Sequence, residues 1–265
     1  CEIASFAHAS KRAYRAAWVA SVDLGCFSYI VKTIASPPHR FNHQGRFMDD
    51  SSKQLIDRYM EQVLEVNKTL NLTRIEDSEH ARLLHIEDSL AGLDELNQAP
   101  EGRYVDLGSG GGFPGVPLGI VSGRQTLLVD SVKKKMAAVQ SILDSLGVSS
   151  ISTYDGRIEE LALQQAERFS VATARALAKL SVLMELSSPL LKKGGVLICY
   201  KAQLSDEELD NALRLQSYLG MKLKSDRDFL LSDNETHRRI IVFEKVKQPG
   251  LKLPRRVGLA QKKPL

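Results

Sequence analysis

Apolar positions follow a helical period up to about residue 100 and alternate between strand and helix beyond it. Leu55, Ile56, Tyr59, Met60, Val63 and Leu64 recur at three- and four-residue steps, as one face of a helix requires, and Ser51 or Ser52 can cap it. A polar break, Asn67–Arg74, precedes a second predicted helix over Glu79–Leu96 with Leu83, Leu84, Ile86, Leu90 and Leu93 inward. Pro100 and Gly102 end this helical part. Strands are then predicted at 103–107, 125–130, 149–154, 169–174 and 195–200, with helices at 115–122, 132–146, 157–166 and 176–191. Gly147 and Gly194-Gly195 stand where helix stop signals belong. A helix over 205–219 precedes two strand-like segments, 221–231 and 237–246, read as an antiparallel pair at the sheet edge. Alternation of this kind predicts an α/β fold, a mostly parallel sheet with helices on both faces.

Four segments follow: an extension over 1–47, a helical cap over 48–100, a central domain over 101–248 and a basic tail over 249–265. Residues 1–47 begin with Cys, are poor in acids and break their apolar run at Asp23 and Lys32. They are expected to be a disordered or non-native extension ahead of a start at Met48.

Charge sharpens this division. The net +4 of the chain hides an acidic body, since 245–265 holds seven Lys/Arg and no acid while 48–244 is net −7. A local polyanion contact at the tail is the natural reading, and no regular structure is expected there. Cys1, Cys26 and Cys199 have no metal spacing and are too few for a disulfide framework, so a reducing cytosol is the default. His80 and His85, five apart, cannot form an i, i+4 zinc pair, and no metal is expected. No apolar run approaches the roughly 18–20 residues of a membrane span.

The candidate chemistry centres on Tyr104–Gly115, a strand that runs into a glycine-rich loop and then a helix. A phosphate-binding P-loop would need a Lys that is absent. A dinucleotide frame beginning at Gly108 and Gly110 would need Gly at 113, where Phe113 stands. What remains is Asp106-x-Gly108-x-Gly110-x-Gly112, which resembles the first motif of class I AdoMet-dependent methyltransferases. Asp130 ends the next strand, placed either to accept ribose hydroxyls or to cap the helix after it. Tyr154–Glu159 forms a turn at the same edge, a natural adenine rim or another cap. The fourth strand tip, Ala172–Ala176, has neither an Asn/Asp-Pro-Pro-aromatic motif nor a Pro-Cys nucleophile, and Cys199 reads as core. An acceptor that needs no deprotonation fits, and purine N7 is one. An NAD(P) oxidoreductase and a non-catalytic ribosome-binding protein stay open as rivals on these residues.

From Asn71 onward the chain resembles the RsmG family, also called glucose-inhibited division protein B. The segments that carry the resemblance are Asn71-Leu72-Thr73, His85–Leu90, Asp106–Pro117, Leu128–Ser131 with Lys133-Lys134, Arg157–Glu160, Ala174–Ala176, Tyr200-Lys201 and Leu253-Pro254-Arg255 to Leu265. Leu84 and Ala202 depart from the pattern, where Arg and Gly are expected. The resemblance implies a class I, Rossmann-like methyltransferase with a seven-stranded sheet and a C-terminal antiparallel hairpin. It implies S-adenosyl-L-methionine (AdoMet) as methyl donor and N7 of a guanine in the decoding-region stem-loop of 16S rRNA as acceptor. Gly108, Phe113, Ile158, Glu159 and Arg175 are then AdoMet contacts, beside Asp130. Lys201, Arg255, Arg256, Lys262 and Lys263 are candidate contacts to RNA, free or in the small ribosomal subunit. The chain is expected to act as a monomer in the cytoplasm.

Overall fold

Helix α1 (Asp50–Leu70) starts where the Asp49 carboxylate accepts from Ser52 N at 2.7 Å. The cap is therefore Asp49, not Ser51 or Ser52; its charge also suits the positive end of the helix. These relations come from a computed structural model that describes residues 48–265 apart from 74 and 76; the extension expected over 1–47 lies outside the described residues. The helix continues past the expected polar break at Asn67. That residue is buried, and its side-chain oxygen accepts from Thr73 N at 2.8 Å, so it serves the turn beyond the helix. Asn71 ends α1 in the left-handed region at φ 48°.

The second predicted helix is broken. Helix α2 (Ser78–Ala81) passes through a wide π-type segment, Arg82–Glu87, into α3 (Asp88–Leu90), and α4 (Leu93–Asn97) follows Gly92. Two hydroxyls compete for carbonyls here. Ser89 Oγ donates to His85 O, and Tyr200 Oη donates to Ser89 O at 2.7 Å. Side chains that take helix carbonyls disturb the regular ladder. Gly92 is needed at the break, because a Cβ there would lie 2.1 Å from Tyr200 Oη.

Strands β1 (Arg103–Leu107), β2 (Thr126–Val129), β3 (Ile151–Tyr154), β4 (Phe169–Arg175) and β5 (Leu191–Lys201) are parallel. Strand β7 (His237–Lys245) runs antiparallel to both β5 and β6 (Met221–Leu230) and lies between them. The order β3-β2-β1-β4-β5-β7-β6 makes the expected seven-stranded sheet with its C-terminal hairpin. Helices α5 (Gly115–Ser122), α6 (Lys133–Ser145), α7 (Ile158–Gln164), α8 (Leu180–Ser187) and α9 (Asp206–Leu215) are the connections, and α10 (Leu259–Lys262) lies in the tail. Strand alternation sends Val105 and Leu107 to one face, with Leu161, Leu180 and Leu183. Tyr104 goes to the other, with Leu118, Ile198 and Tyr200. Helix α1 shares a third core with α5 and α6 through Ile56, Tyr59, Val63, Val116, Met136 and Val139. Each such buried side chain contributes about 1.5–3 kcal/mol of transfer free energy.

Two expectations need correction. The helix expected over 176–191 is only α8, since β5 already begins at Leu191, and Gly194-Gly195 lie inside that strand rather than after a helix. The pairing of β4 with β5 jumps from Phe169↔Leu191 to Val171↔Val196, so the glycines form a bulge. Gly194 takes φ 81°, and a Cβ on Gly195 would stand 2.9–3.2 Å from three backbone carbonyls. The tail also carries regular structure, α10, and lays Leu251, Leu253 and Leu265 against the main core. Gly195→Ala is expected to lower the unfolding free energy by about 1–3 kcal/mol, read as a lower urea midpoint; an unchanged midpoint would refute the crowded bulge.

Candidate functional site

The chain runs outward in opposite directions from β1 and β4, which are neighbours in the sheet. The crevice beyond their C-terminal ends is the usual ligand position in open α/β sheets. Four segments meet at this edge: the loop after Leu107, the turn at Asp130, the turn before α7 and the loop after Arg175.

Asp106 organises the first of them. It is fully buried. Its Oδ2 accepts from Ser109 Oγ at 2.6 Å and Gly115 N at 3.1 Å, and its Oδ1 accepts from Thr173 Oγ1 at 2.6 Å. One carboxylate thus closes the loop on itself and ties it to β4. Burial pushes its pKa up to about 6, against the pull of these bonds and of Arg175. Gly112, at φ 87°, leaves no room for a side chain, because a Cβ would come 2.2 Å from Tyr59 Oη. That hydroxyl donates to Gly111 O at 2.9 Å. Gly110 is the opposite case: at φ 57°, a Cβ there would have nothing within 4 Å. The loop is held from behind and opens to space at Gly110.

Asp130 reaches the same loop. Its Oδ2 accepts from Gly110 N at 3.0 Å and its Oδ1 from Val132 N at 2.8 Å. It braces the loop and closes the turn that leads into α6, which has no side-chain cap of its own, and each oxygen retains acceptor capacity. Asp130 N donates to Tyr154 O at 3.2 Å, which ties this turn to the next. In that next turn Ile158 is half-buried, and the buried Glu159 accepts from Gly258 N of the tail at 2.7 Å.

Phe113 is buried, not presented to the crevice by its ring. It stacks on His85 with centroids 4.5 Å apart and planes at 7°, and meets Tyr59 edge-on at 5.7 Å. Arg175 sits in a structural ion pair. Its Nη1 donates to Leu84 O at 2.8 Å and to Asp88 Oδ2 at 2.9 Å, and Arg238 Nε donates to Asp88 Oδ1 at 3.0 Å. Arg175 Nη2 lies 3.3 Å from His85 Nδ1. Burial, and then the Arg175 charge, push the His85 pKa down to about 4, so the ring is neutral. A guanidinium only donates, so Nδ1 is the acceptor; Nε2 carries the hydrogen and donates to Thr73 Oγ1 at 2.6 Å.

The structure therefore gathers Gly108, Asp130, the Ile158-Glu159 turn and Arg175 at one sheet edge, with Phe113 behind the loop. The five candidate RNA contacts divide. Lys201 is committed internally, its Nζ 2.6 Å from Glu208 Oε1 and 2.9 Å from Ala178 O. Arg255 forms two 2.7 Å bonds to the buried Glu185 and a third to Lys263 O. Arg256, Lys262 and Lys263 are exposed. Cys199 is core, its thiol pushed up to about 12 by burial. Tyr59, Thr73 and Asp88 also shape the site. Each leaves a trace in the sequence, Tyr59 on the apolar face of the first helix and Thr73 and Asp88 within the segments that carry the family resemblance, but none of these signals marks a role at the site. Among the described residues no cluster of His, Cys, Asp and Glu could hold a metal ion, and no helix is long and apolar enough to cross a membrane.

A family model described as rRNA small subunit methyltransferase G matches residues 52–235. A ribosomal RNA small subunit methyltransferase G from Lactobacillus acidophilus is 33% identical over 82% of this chain and 93% of its own length. Its counterpart in Ligilactobacillus salivarius is 37% identical over 84% of this chain and 95% of its own length. Among solved structures, geranyl diphosphate C-methyltransferase from Streptomyces coelicolor is similar with a TM-score of 0.50 and 14% identity, over 71% of this chain and 98% of that one. At that identity the likeness concerns the fold alone.

Asp106 makes a pH prediction. Its folded pKa of about 6 exceeds the ordinary 3.8, so between these values the folded state holds a proton that the unfolded state releases. Its contribution to stability is therefore lost as pH rises from about 4 to 6. Asp106→Asn keeps an acceptor for Ser109 and Gly115, and its amide can donate to Thr173. From pH 4 to 7 the variant should gain on the wild type by roughly 2–3 kcal/mol in urea unfolding. The depressed His85 acts in the opposite sense, losing stability as pH falls from 6.5 toward 4, and cancels in this comparison. A constant gap between the two proteins would refute the buried charge.

Proposed function

The chain belongs to the rRNA small subunit methyltransferase G family, and from that premise we infer that it transfers a methyl group from AdoMet to N7 of a guanine in the decoding-region stem-loop of 16S rRNA, as a monomer in the cytoplasm. The observation that carries this reading is the open face of the glycine loop at Gly110, directly beside the Asp130 carboxylate. A loop with no side chain at its exposed edge admits the methionine part of the donor, and Asp130 retains lone pairs for ribose hydroxyls. Gly108 and Phe113 are assigned to the loop side of the donor, Ile158 and Glu159 to its adenine side. Arg175 fixes the tip of β4 against the α2–α3 segment, and so sets the position of the crevice wall.

AdoMet supplies an activated methyl on a sulfonium. The N7 lone pair takes the methyl carbon, the sulfur keeps the pair of the broken S–C bond, and no proton leaves N7. A general base is therefore unnecessary; the enzyme has to align the two reactants and exclude water. The buried, neutral His85 and the raised Cys199 thiol are consistent with that division of labour. The RNA is assigned to Arg256, Lys262 and Lys263, whose side chains are exposed.

Incubation with methyl-labelled AdoMet and small-subunit RNA from an unmethylated strain, both naked and as particles, should place label in 7-methylguanosine after nuclease digestion. No transfer to either substrate would overturn the reading in favour of a non-catalytic binder. Replacing Arg256, Lys262 and Lys263 together by Ala should weaken RNA binding and lower the slope of log K against log salt by roughly 2–3. An unchanged slope in that titration would remove these bases from the RNA interface.

A further inference from the structure

We propose that residues 249–265 form a clasp on the donor side of the site, in which Arg255 and Gly258 are positioning residues that hold the Ile158-Glu159 turn in its AdoMet-binding shape. The proposal rests on the functional reading above and adds a role for a segment that the reading used only for its charge.

Three contacts fasten the clasp. Gly258 N donates to Glu159 Oε1 at 2.7 Å, joining the tail to the turn between β3 and α7. A carboxylate acceptor makes this a charge-assisted bond, stronger than a neutral one. Arg255 then anchors the segment with two 2.7 Å bonds to Glu185 of α8, whose side chain is 3% exposed. Ala260 completes the set. It is buried with Val182 and Leu186, and Ile158 packs against the same cluster. The tail thus touches both residues of the turn, Glu159 by a hydrogen bond and Ile158 through a shared apolar cluster.

The other fixings of the turn lie on its sheet side, where Tyr154 and Ile158 also pack against the main core and Leu161 N donates to Arg157 O at 3.0 Å. Arg157 N adds a bond to Glu160 Oε2 at 3.2 Å, on exposed residues. Asp130 N to Tyr154 O joins it to the second strand tip only at its start. Holding Ile158 and Glu159 from the far side is work that α7, seven residues long, does not do alone. Gly258 suits the task because it lies at φ 73°, the left-handed region, which aims its N–H at Glu159 without strain. A Cβ there would meet nothing within 4 Å, so the backbone conformation alone demands glycine.

Two substitutions test the clasp without touching the assigned donor contacts. Gly258→Ala adds no clash but disfavours the left-handed backbone, turning the N–H away from Glu159. Arg255→Ala removes the anchor and leaves Glu185 buried without its partner. A double variant, Arg255→Ala with Glu185→Ala, removes that stranded charge and should recover thermal stability without restoring the anchor. AdoMet titration calorimetry on the full chain should show Kd raised about fivefold to tenfold in all three. Methylation at saturating AdoMet should keep kcat within about twofold of wild type, the signature of lost ground-state binding. Two results overturn the clasp: wild-type affinity in Gly258→Ala, or affinity that returns with the melting temperature in the double variant. Wild-type protein that binds no AdoMet would overturn the functional reading and the clasp together, an outcome distinct from both.

Discussion

A carboxylate shut away from water, Asp106, is the constraint on which the site depends. Burying a charge is costly unless donors replace its hydration. Here two hydroxyls and one backbone N–H do so, and they come from three places: Ser109 in the loop, Gly115 at the start of α5 and Thr173 on β4. Satisfying the charge and shaping the loop are therefore one event. The Asp106 side chain also sets a requirement on Gly115, where a Cβ would come 2.8 Å from Oδ2. The acid and the glycines of this motif form a single mechanical unit. The acid lies inside it, so its role is to hold the loop, while the glycine edge at Gly110 stays open beside Asp130.

Elements bounded by local signals were legible. The strand 103–107 and the helix 115–122 appear at their predicted ends, the latter stopped by Gly123 in the left-handed region. Elements whose ends depend on distant partners were not. Gly194-Gly195 after an apolar stretch looks the same whether it stops a helix or forms a bulge, and only the register of β4 against β5 distinguishes them. The broken second helix has a partly similar origin: Ser89 Oγ takes the His85 carbonyl of the π-type segment locally, but the hydroxyl that takes Ser89 O just beyond it belongs to Tyr200, 111 positions away.

Charged residues show the same limit more sharply. Lys201 and Arg255 carry the composition of a phosphate contact, and their local sequence offers nothing against it. In the fold Lys201 pairs with Glu208, seven residues on at the start of the next helix, and Arg255 with Glu185, seventy residues away on a helix that only the folded chain brings near. Arg175 is informative in a different way. A salt bridge and a ligand contact are both natural for an arginine at a strand tip, and its bonds to Leu84 O and Asp88 show the first. Such a pair stiffens the crevice wall whether or not the guanidinium also meets an anion, because Asp88 is shared with Arg238 and is 3% exposed.

Phe113 joins these strands of reasoning. Glycine at that position would complete a dinucleotide frame and let the backbone approach a pyrophosphate. The aromatic ring instead fills the space between His85 and Tyr59, flat against the first and edge-on to the second. His85 lies flat there as a neutral ring, kept uncharged by burial and by the Arg175 charge. One substitution in a glycine motif thus attaches the loop to helix α1 and to the π-type segment, through Tyr59 and His85. The segment 48–100 is on this account the rear support of the glycine loop, with the tail fastened to the neighbouring turn through Glu159. The shape of the loop thus follows from what stands behind it as much as from the glycines in front.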